Sequence, residues 1–172
     1  MSRSIVLVFS LSALAYASCG DASSSPSTTN NSRPVWLLAS EPADAQDILQ
    51  AKSDAQEGET ITLRGIIGGT IKPLSSESPS FRIVDTNLFN KCTESGDDHC
   101  KTPWDYCCAL PEDLVLNSAT VVLVDDQGLP LATDPTTLLQ PLDLVTLVGT
   151  VAYRPNSDIL TVNASGVYRA ER

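Results

Sequence analysis

Residues 144–168 read LVTLVGTVAYRPNSDILTVNASGVY, and this stretch decides the fold. Aliphatic residues alternate with small or polar ones over Leu144–Tyr153 and again over Ile159–Tyr168. This period of two is typical of half-buried β-strands. Between the two runs, Arg154–Asp158 combines Pro, Asn, Ser and Asp, which favour turns. The stretch therefore predicts two consecutive strands joined by a turn.

Three further strands are predicted upstream of this pair, at Thr60–Ile67 (TITLRGII), Phe81–Asp85 (FRIVD) and Ala119–Val124 (ATVVLV). In the first of them, Ile61 and Leu63 alternate with polar residues, which predicts one buried face. Gly65 interrupts this strand, and Gly68 and Gly69 follow it. Glycines inside a strand are typical of bends and bulges, so we expect the first strand to bend.

Two helical segments flank these strands. Residues 42–55 (PADAQDILQAKSDA) predict one short helix, with Ser40 as its cap and Pro42 in its first turn, where a missing N–H has no cost. Residues 134–142 (DPTTLLQPL) predict a short helical turn between the third and fourth strands, with Asp134 as its cap.

The predicted order is helix, three strands, short helix and two strands. A helix between the third and fourth strands of a five-stranded barrel is the OB-fold arrangement, and a first strand that bends serves both halves of such a barrel. We therefore expect a mainly β domain at 35–172, built as a five-stranded OB-fold-like barrel with an N-terminal helix and a cysteine-rich insertion at 86–117. The alternative is another small β-sandwich.

The chain also resembles a group of small secreted OB-fold proteins of planctomycete-type bacteria, over roughly residues 36–170. The resemblance lies in the segments GETITLRGIIGG, FRIVD, CKTPWDYCC, ATVVLVDDQGLPL, VTLVGTVAYR and LTVNASGVY. The block Thr102–Cys108 (TPWDYCC) is its specific part. The resemblance implies an OB-fold and export, and it implies no activity because none is assigned to that group.

The N-terminus predicts export. Arg3 precedes the apolar run Ile5–Ala17, which is too short to cross a bilayer and is typical of a signal peptide, here assigned to residues 1–18. The run ends at Cys19 in a sequence that resembles the bacterial lipobox, although Tyr16 stands where that motif prefers Leu. We expect lipidation of Cys19, followed by a polar linker that ends at residue 34. The alternative is plain cleavage, which would release a free secreted or periplasmic protein.

The insertion holds every cysteine except Cys19, namely Cys92, Cys100, Cys107 and Cys108. In an exported protein, an even set of cysteines indicates two disulfides first. Because adjacent cysteines rarely bond each other, the pairing is 92–107 with 100–108, or 92–108 with 100–107. Four thiols with His99 would also suit a soft ion such as Cu(I) or Zn(II), but the spacing lacks the paired C-x2–4-C of structural zinc sites.

Trp104 and Tyr106 lie within the cysteine block and are our candidates for ligand binding, because aromatics on an OB-fold surface stack bases or sugars. The alternative, which we favour, is that they pack over the cysteines as a small core. Acidic residues surround them, at Glu94, Asp97, Asp98 and Asp105. These lack the spacing of an EF-hand loop and predict a solvated acidic loop rather than a calcium site.

Composition and sequence motifs argue against two classes of function. The net charge of −10 argues against binding a phosphate backbone. His99 is the chain's single histidine and no G-x-S-x-G motif is present, which argues against a serine hydrolase. We therefore expect no catalytic residue, no cofactor and no nucleic-acid partner. The sequence predicts a non-enzymatic lipoprotein of the cell envelope, held to the membrane through its lipid alone. Its OB-fold-like module would bind an unknown protein, glycan or small ligand. The alternative is a metal-handling envelope protein that uses the Cys92–Cys108 block.

Overall fold

The computed structural model describes residues 33–94 and 100–171. The predicted signal peptide at 1–18, the predicted lipidation site Cys19 and nearly all of the predicted linker lie outside the described residues, as do Asp97, Asp98 and His99. Within the described ranges, no helix is both long enough and apolar enough to cross a membrane.

The described residues contain one six-stranded sheet. Its strands are β1 (Thr60–Ile67), β2 (Leu74–Ser75), β3 (Ser78–Val84), β4 (Ser118–Leu123), β5 (Leu144–Tyr153) and β6 (Thr161–Arg169). The bounds of β1 and β5 are those predicted from the sequence, and the other long strands are shifted by a few residues at most. The two-residue strand β2 was not predicted.

The five long strands close into a barrel. β1 pairs antiparallel with β5 and, at its end, with β3. β3 pairs antiparallel with β4, β4 runs parallel to β6, and β6 pairs antiparallel with β5. The ring therefore runs β1, β3, β4, β6, β5 and back to β1. Five strands closed in this order, with the third and fifth parallel, form an OB-fold-like barrel, and the predicted fold class is confirmed.

β1 serves both halves of the barrel, as predicted. Thr60–Ile66 align with β5, whereas Ile66 and Ile67 align with β3. Close approach of β3 requires a glycine in β1, because a Cβ on Gly65 would lie 3.0 Å from the Val84 carbonyl oxygen. Gly65 therefore lets the two strands meet where the barrel closes.

The barrel interior is filled by the alternating aliphatic residues of its strands. Leu63, Leu147 and Val167 are neighbours across β1, β5 and β6, and all three are fully buried. Each buried large aliphatic side chain contributes roughly 1.5–3 kcal/mol. None of the described residues between 86 and 117 belongs to this core. The barrel therefore has a hydrophobic core that takes nothing from the insertion.

Among the described residues, one helix precedes the barrel, α1 (Ile48–Asp54), and the prediction that it spans 42–55 is wrong. Gln46 is the reason, because its backbone pairs with β1. Its N–H donates to the Thr62 carbonyl and its own carbonyl accepts the Arg64 N–H, both at 3.0 Å. Residue 46 is thereby held against the strand, and the helix begins only after it.

Two carboxylates cap α1 in place of the predicted Ser40. Asp47 accepts a backbone N–H of the first turn at 2.8 Å. The buried Asp85 carboxylate accepts the N–H groups of Ile48 and Leu49 at 2.8 and 3.1 Å. Both carboxylates satisfy free N–H groups and complement the helix dipole. Asp85 directly follows β3, so it ties α1 to the point where the insertion leaves the barrel.

The helical turn predicted at 134–142 is present but shorter, as the 3-10 helix Pro135–Thr137. Asp134 caps it, as predicted. The helix ends early because the chain bonds to the barrel soon afterwards, where the Leu142 N–H donates to the Ile67 carbonyl at 2.9 Å.

Candidate functional site

The insertion connects β3 to β4, and its described residues contain three short helices that the sequence did not predict. They are α2 (Lys91–Glu94), a 3-10 helix (Pro103–Asp105) and α3 (Pro111–Leu116). A proline begins each of the last two, at a position where its missing N–H has no cost. Cys92 lies in α2, while Cys100, Cys107 and Cys108 lie on either side of the 3-10 helix.

Asn90, which sequence reasoning missed, joins the two segments that carry the cysteines. Its Oδ1 accepts the Cys92 N–H at 3.0 Å, and its Nδ2 donates to the Pro103 carbonyl at 2.8 Å. Asn90 is buried, which strengthens both bonds. They hold α2 beside the 3-10 helix. No sequence pattern marks Asn90, because these two partners are backbone groups of distant or neighbouring residues.

A left-handed residue turns the chain between the 3-10 helix and the last two cysteines. Tyr106 has a φ of 58°, a conformation that few residues other than glycine adopt. Asp105 stabilises the turn, since its Oδ1 accepts the Cys107 N–H at 2.9 Å and its Oδ2 accepts the Thr102 hydroxyl at 2.8 Å. The turn leaves Tyr106 buried and the Cys107 and Cys108 side chains exposed.

The insertion contacts the barrel at Gly68 and Gly69. The Gly69 N–H donates to the Trp104 carbonyl at 2.8 Å, and a Cβ on Gly68 would lie 2.6 Å from that same oxygen. A Cβ there would also lie 3.1 Å from the Tyr106 ring. The Trp104 indole N–H donates to the Ile71 carbonyl at 3.0 Å. The glycines that indicated a bend in the sequence therefore also admit the insertion.

These contacts bring the four predicted cysteines of the insertion together. The Sγ of Cys92 lies 3.8 Å from that of Cys107 and 3.9 Å from that of Cys108. The Sγ of Cys107 lies 3.9 Å from those of Cys100 and Cys108. Cys92 and Cys100 are half-buried, and all four are free thiols. We call these four residues the thiol cluster.

The distances in the thiol cluster differ from those of a disulfide. A sulfur–sulfur bond is about 2.05 Å long, so neither predicted pairing is formed in this structure. Both sulfur pairs of the pairing 92–108 with 100–107 nevertheless lie 3.9 Å apart. In a tetrahedral site with Zn–S bonds of about 2.3 Å, neighbouring sulfurs are about 3.8 Å apart. Four of the six sulfur separations match that spacing. Within 4.8 Å of one another, however, the ligand atoms form two groups, Cys92 with Cys107 and Cys108, and Cys100 with Cys107 and Asp105.

The thiols also influence one another's protonation. The hydrogen bond with Cys100 raises the pKa of the Cys92 thiol to about 11, with burial as the next cause. Hydrogen bonds with Cys92 and then Cys108 raise the pKa of the Cys107 thiol. At neutral pH these thiols therefore hold their protons, and a bound cation would have to displace them.

Other side chains near the thiol cluster already have structural roles. Tyr106 is 2% exposed and Trp104 is half-buried, so both pack between the insertion and the barrel. Glu94 accepts the Asn90 N–H at 2.9 Å. Asp105 holds the turn at Tyr106, although its carboxylate also lies within 4.8 Å of the Cys100 and Cys107 sulfurs. Asp105 is therefore the described carboxylate best placed to join the cysteines around an ion.

Comparisons with known proteins return distant likenesses in structure. No family model matches the chain, and no curated protein matches it. The hypothetical protein ygiW from E. coli is 15% identical, covers 73% of this chain and 89% of its own, and has a TM-score of 0.38. A putative aspartyl-tRNA synthetase from Leishmania major Friedlin is 9% identical, covers 77% and 22%, and has a TM-score of 0.40. The S. pombe Stn1-ten1 complex is 13% identical, covers 76% and 73%, and has a TM-score of 0.29.

Proposed function

We propose that this protein is a non-enzymatic lipoprotein of the cell envelope whose OB-fold-like domain binds a thiophilic metal ion through the thiol cluster. The observation that carries the proposal is the group Cys92, Cys107 and Cys108, whose sulfurs all lie within 4.8 Å of one another, with the Cys100 sulfur 3.9 Å from that of Cys107. Thiolates at this spacing suit Zn(II) or Cu(I), which prefer soft sulfur ligands.

Several features of the insertion favour a metal ion over packing alone. The four sulfurs converge at the surface, where Cys107 and Cys108 are exposed and no hydrophobic core encloses them among the described residues. Asn90 and Asp105 accept hydrogen bonds from the backbone N–H groups of Cys92 and Cys107, which fixes the positions of the two chain segments. Partners of this kind orient the ligands of metal sites in proteins.

The sequence spacing that weighed against zinc does not exclude this arrangement. Structural zinc sites gather their cysteines from short C-x2–4-C turns, whereas here the turn at Tyr106 and the Asn90 contacts bring distant cysteines together. The envelope location rests on the apolar run at 5–17, on Cys19 and on the polar linker that ends at 34.

Metal content and intact mass of the exported protein test this function. The chain is produced with its native N-terminus, purified from the envelope without reductant or chelator, and measured for bound zinc and copper. We expect about one metal ion per chain and four thiols that react with a thiol reagent only after the metal is removed. Replacement by Co(II) should give the absorption of a tetrahedral thiolate site.

Cysteine variants supply the matched control. Cys108→Ser removes one sulfur of the thiol cluster and should weaken and shift the Co(II) thiolate absorption. Cys19→Ser removes the cysteine outside the insertion and should leave that absorption unchanged. A metal-free protein whose mass is lower by four hydrogens, with bonds 92–108 and 100–107, would overturn the proposal and establish a disulfide-stapled binding module instead.

A further inference from the structure

A second feature of the domain lies apart from the thiol cluster, in a pocket of about 220 Å³. The start of β4 forms one side, Val115 of α3 forms another, and the loop between β5 and β6 forms a third. The residues that matter for its chemistry are Arg82, Ser118, Thr120 and Asp158. The pocket is small for a drug-sized ligand, so its size favours a single chemical group.

Two cations converge at this pocket. Arg82 lines it, and its Nη2 donates to the Ser118 hydroxyl at 2.5 Å. The Lys52 ammonium lies behind the wall, where it donates to the carbonyls of Val115 and Asp158 at 2.7 and 2.6 Å. Lys52 is 4% exposed, which is rare for a lysine.

Neither cation forms an ion pair. In the part of the chain that the structure describes, the salt bridge that forms joins Arg64 to Glu41 and includes neither Lys52 nor Arg82. Burial and then repulsion by Arg82 lower the pKa of Lys52 to about 8, while the Asp158 carboxylate acts in the opposite direction. Burial also lowers the pKa of Arg82. The positive charges of Lys52 and Arg82 are thus both partly desolvated and repel each other, in a chain whose net charge is −10.

We propose that this pocket binds a single tetrahedral oxyanion, a phosphate or sulfate group, either free or at the end of a larger molecule. Arg82 presents a planar guanidinium, which matches such oxygens, and the Ser118 hydroxyl lies beside it. Thr120 lies opposite Arg82 in the register of β3 and β4 and adds a further hydroxyl to the wall. Asp158 lines the same pocket, and its carboxylate repels an anion, so binding depends on Arg82 and Lys52 acting together.

Calorimetric titration of the full chain with sodium phosphate and with sodium sulfate, at constant ionic strength set by chloride, tests the proposal. Sulfate and phosphate stabilise many proteins without binding, so saturation of the heat signal is the criterion. We expect saturable binding of at least one of the two anions and none of chloride. A linear response to both anions would overturn the site.

Arginine variants locate the binding. Arg82→Gln should weaken anion binding at least tenfold. Arg82→Lys keeps the positive charge and should therefore weaken anion binding less. Arg64→Gln is the matched control because Arg64 lies on the barrel outside this pocket, and it should bind as the native chain does. Equal binding by Arg82→Gln and Arg64→Gln would place the anion elsewhere. Metal content should be unchanged in Arg82→Gln, so this test fails or succeeds independently of the metal proposal.

The source of the oxyanion is separated by comparing free phosphate with a sugar phosphate and with a mixed-sequence oligonucleotide. Tighter binding of the sugar phosphate would identify a small ester as the ligand, and equal binding would identify the free anion. Both results support a site for one group. Sub-micromolar binding of the oligonucleotide at physiological salt would contradict a site for one group. In that case a chain of net charge −10 would be binding a phosphate backbone.

Discussion

Strand β5 and the cysteine-rich insertion belong to one domain but differ in what keeps them ordered. Along β5, Val145, Leu147 and Val151 are buried in a core shared by all five long strands. Among the described residues of the insertion, Phe89 and Leu110 are exposed, and the buried side chains are those of Tyr106 and of Asn90, which bonds to backbone. The barrel is held by hydrophobic burial, whereas the insertion depends on hydrogen bonds and, in our proposal, on a metal ion at the thiol cluster.

From this comparison we expect substitutions in the two regions to affect the stability of the domain differently. A cavity in the barrel removes burial on which every strand relies, so the whole domain should lose stability. A change in the insertion removes contacts between short segments and should act locally. Four predictions probe this difference, beginning with the largest expected effect.

Leu147→Ala should destabilise the domain most. Leu147 is fully buried between Leu63 and Val167, so its truncation leaves a cavity at the centre of the barrel. We expect a loss of about 2–5 kcal/mol in the free energy of unfolding, measured by urea denaturation. Thr150→Ala, an exposed site on the same strand, should change it by less than about 0.5 kcal/mol. Similar losses for both variants would contradict the assigned core.

Asp85→Asn acts where the two regions meet. The Asp85 carboxylate accepts the Ile48, Leu49 and Asn87 N–H groups, and an amide replaces one of its acceptor oxygens with a donor. We expect a loss of about 2–3 kcal/mol, because a buried hydrogen bond to a charged group is broken. Asp47→Asn, which caps the same helix from an exposed position, should cost at most about 1 kcal/mol. The reverse order would show that Asp85 does not hold the junction.

Asn90→Ala should weaken metal binding while leaving the barrel folded. It removes the bonds to Cys92 and Pro103 that position α2. Loss of such a supporting residue typically reduces metal affinity about 10–100-fold. Competition with a chromophoric chelator measures the affinity, and urea denaturation of the metal-free protein measures the barrel. Thr93→Ala on the same helix is the control. An unchanged metal affinity in Asn90→Ala would show that Asn90 does not position the thiol cluster.

The smallest expected effect is the pH dependence that Lys52 gives to the contact between α1 and the insertion. Its folded pKa, about 8, lies below the ordinary value of 10.5, so the folded state binds fewer protons than the unfolded state between these values. The stability that Lys52 contributes therefore rises with pH across that window and is lost as pH falls through 8. The rise should be on the order of 1 kcal/mol between pH 8 and pH 9.5.

Lys52→Met supplies the comparison for this pH dependence. Urea denaturation in chloride buffers, without phosphate or sulfate, should show a rise with pH in the native chain that the variant lacks. Groups that titrate elsewhere act equally in both proteins and cancel in the difference. Parallel curves for the two proteins would show that Lys52 keeps its ordinary pKa in the folded state.

The sequence could predict the barrel because its signals are local. The alternation in β1 and β5 gave both strands their observed bounds, and the glycines of β1 indicated its bend. The start of α1 could not be predicted in the same way. It depends on Gln46 bonding to β1 and on Asp85 capping from the far side of β3, and both contacts join residues distant in sequence.

The thiol cluster was predictable only in part. The count and placement of the cysteines indicated that they act together, and the structure brings them together. Their spacing along the chain favoured disulfides, because it contains none of the short turns that mark zinc sites. The separations that favour a metal ion depend on the left-handed Tyr106 and on the buried Asn90, and neither has a signature in the sequence.

Hydrogen exchange of the native chain, before and after treatment with a chelator under reducing conditions, tests the central claim most directly. The account predicts that protection is lost over 90–108 and persists in Leu144–Tyr153, because the barrel core includes none of the described insertion residues. Restoring Zn(II) should restore the protection. Unchanged protection over 90–108 without metal, or loss of protection across β5 as well, would contradict the account.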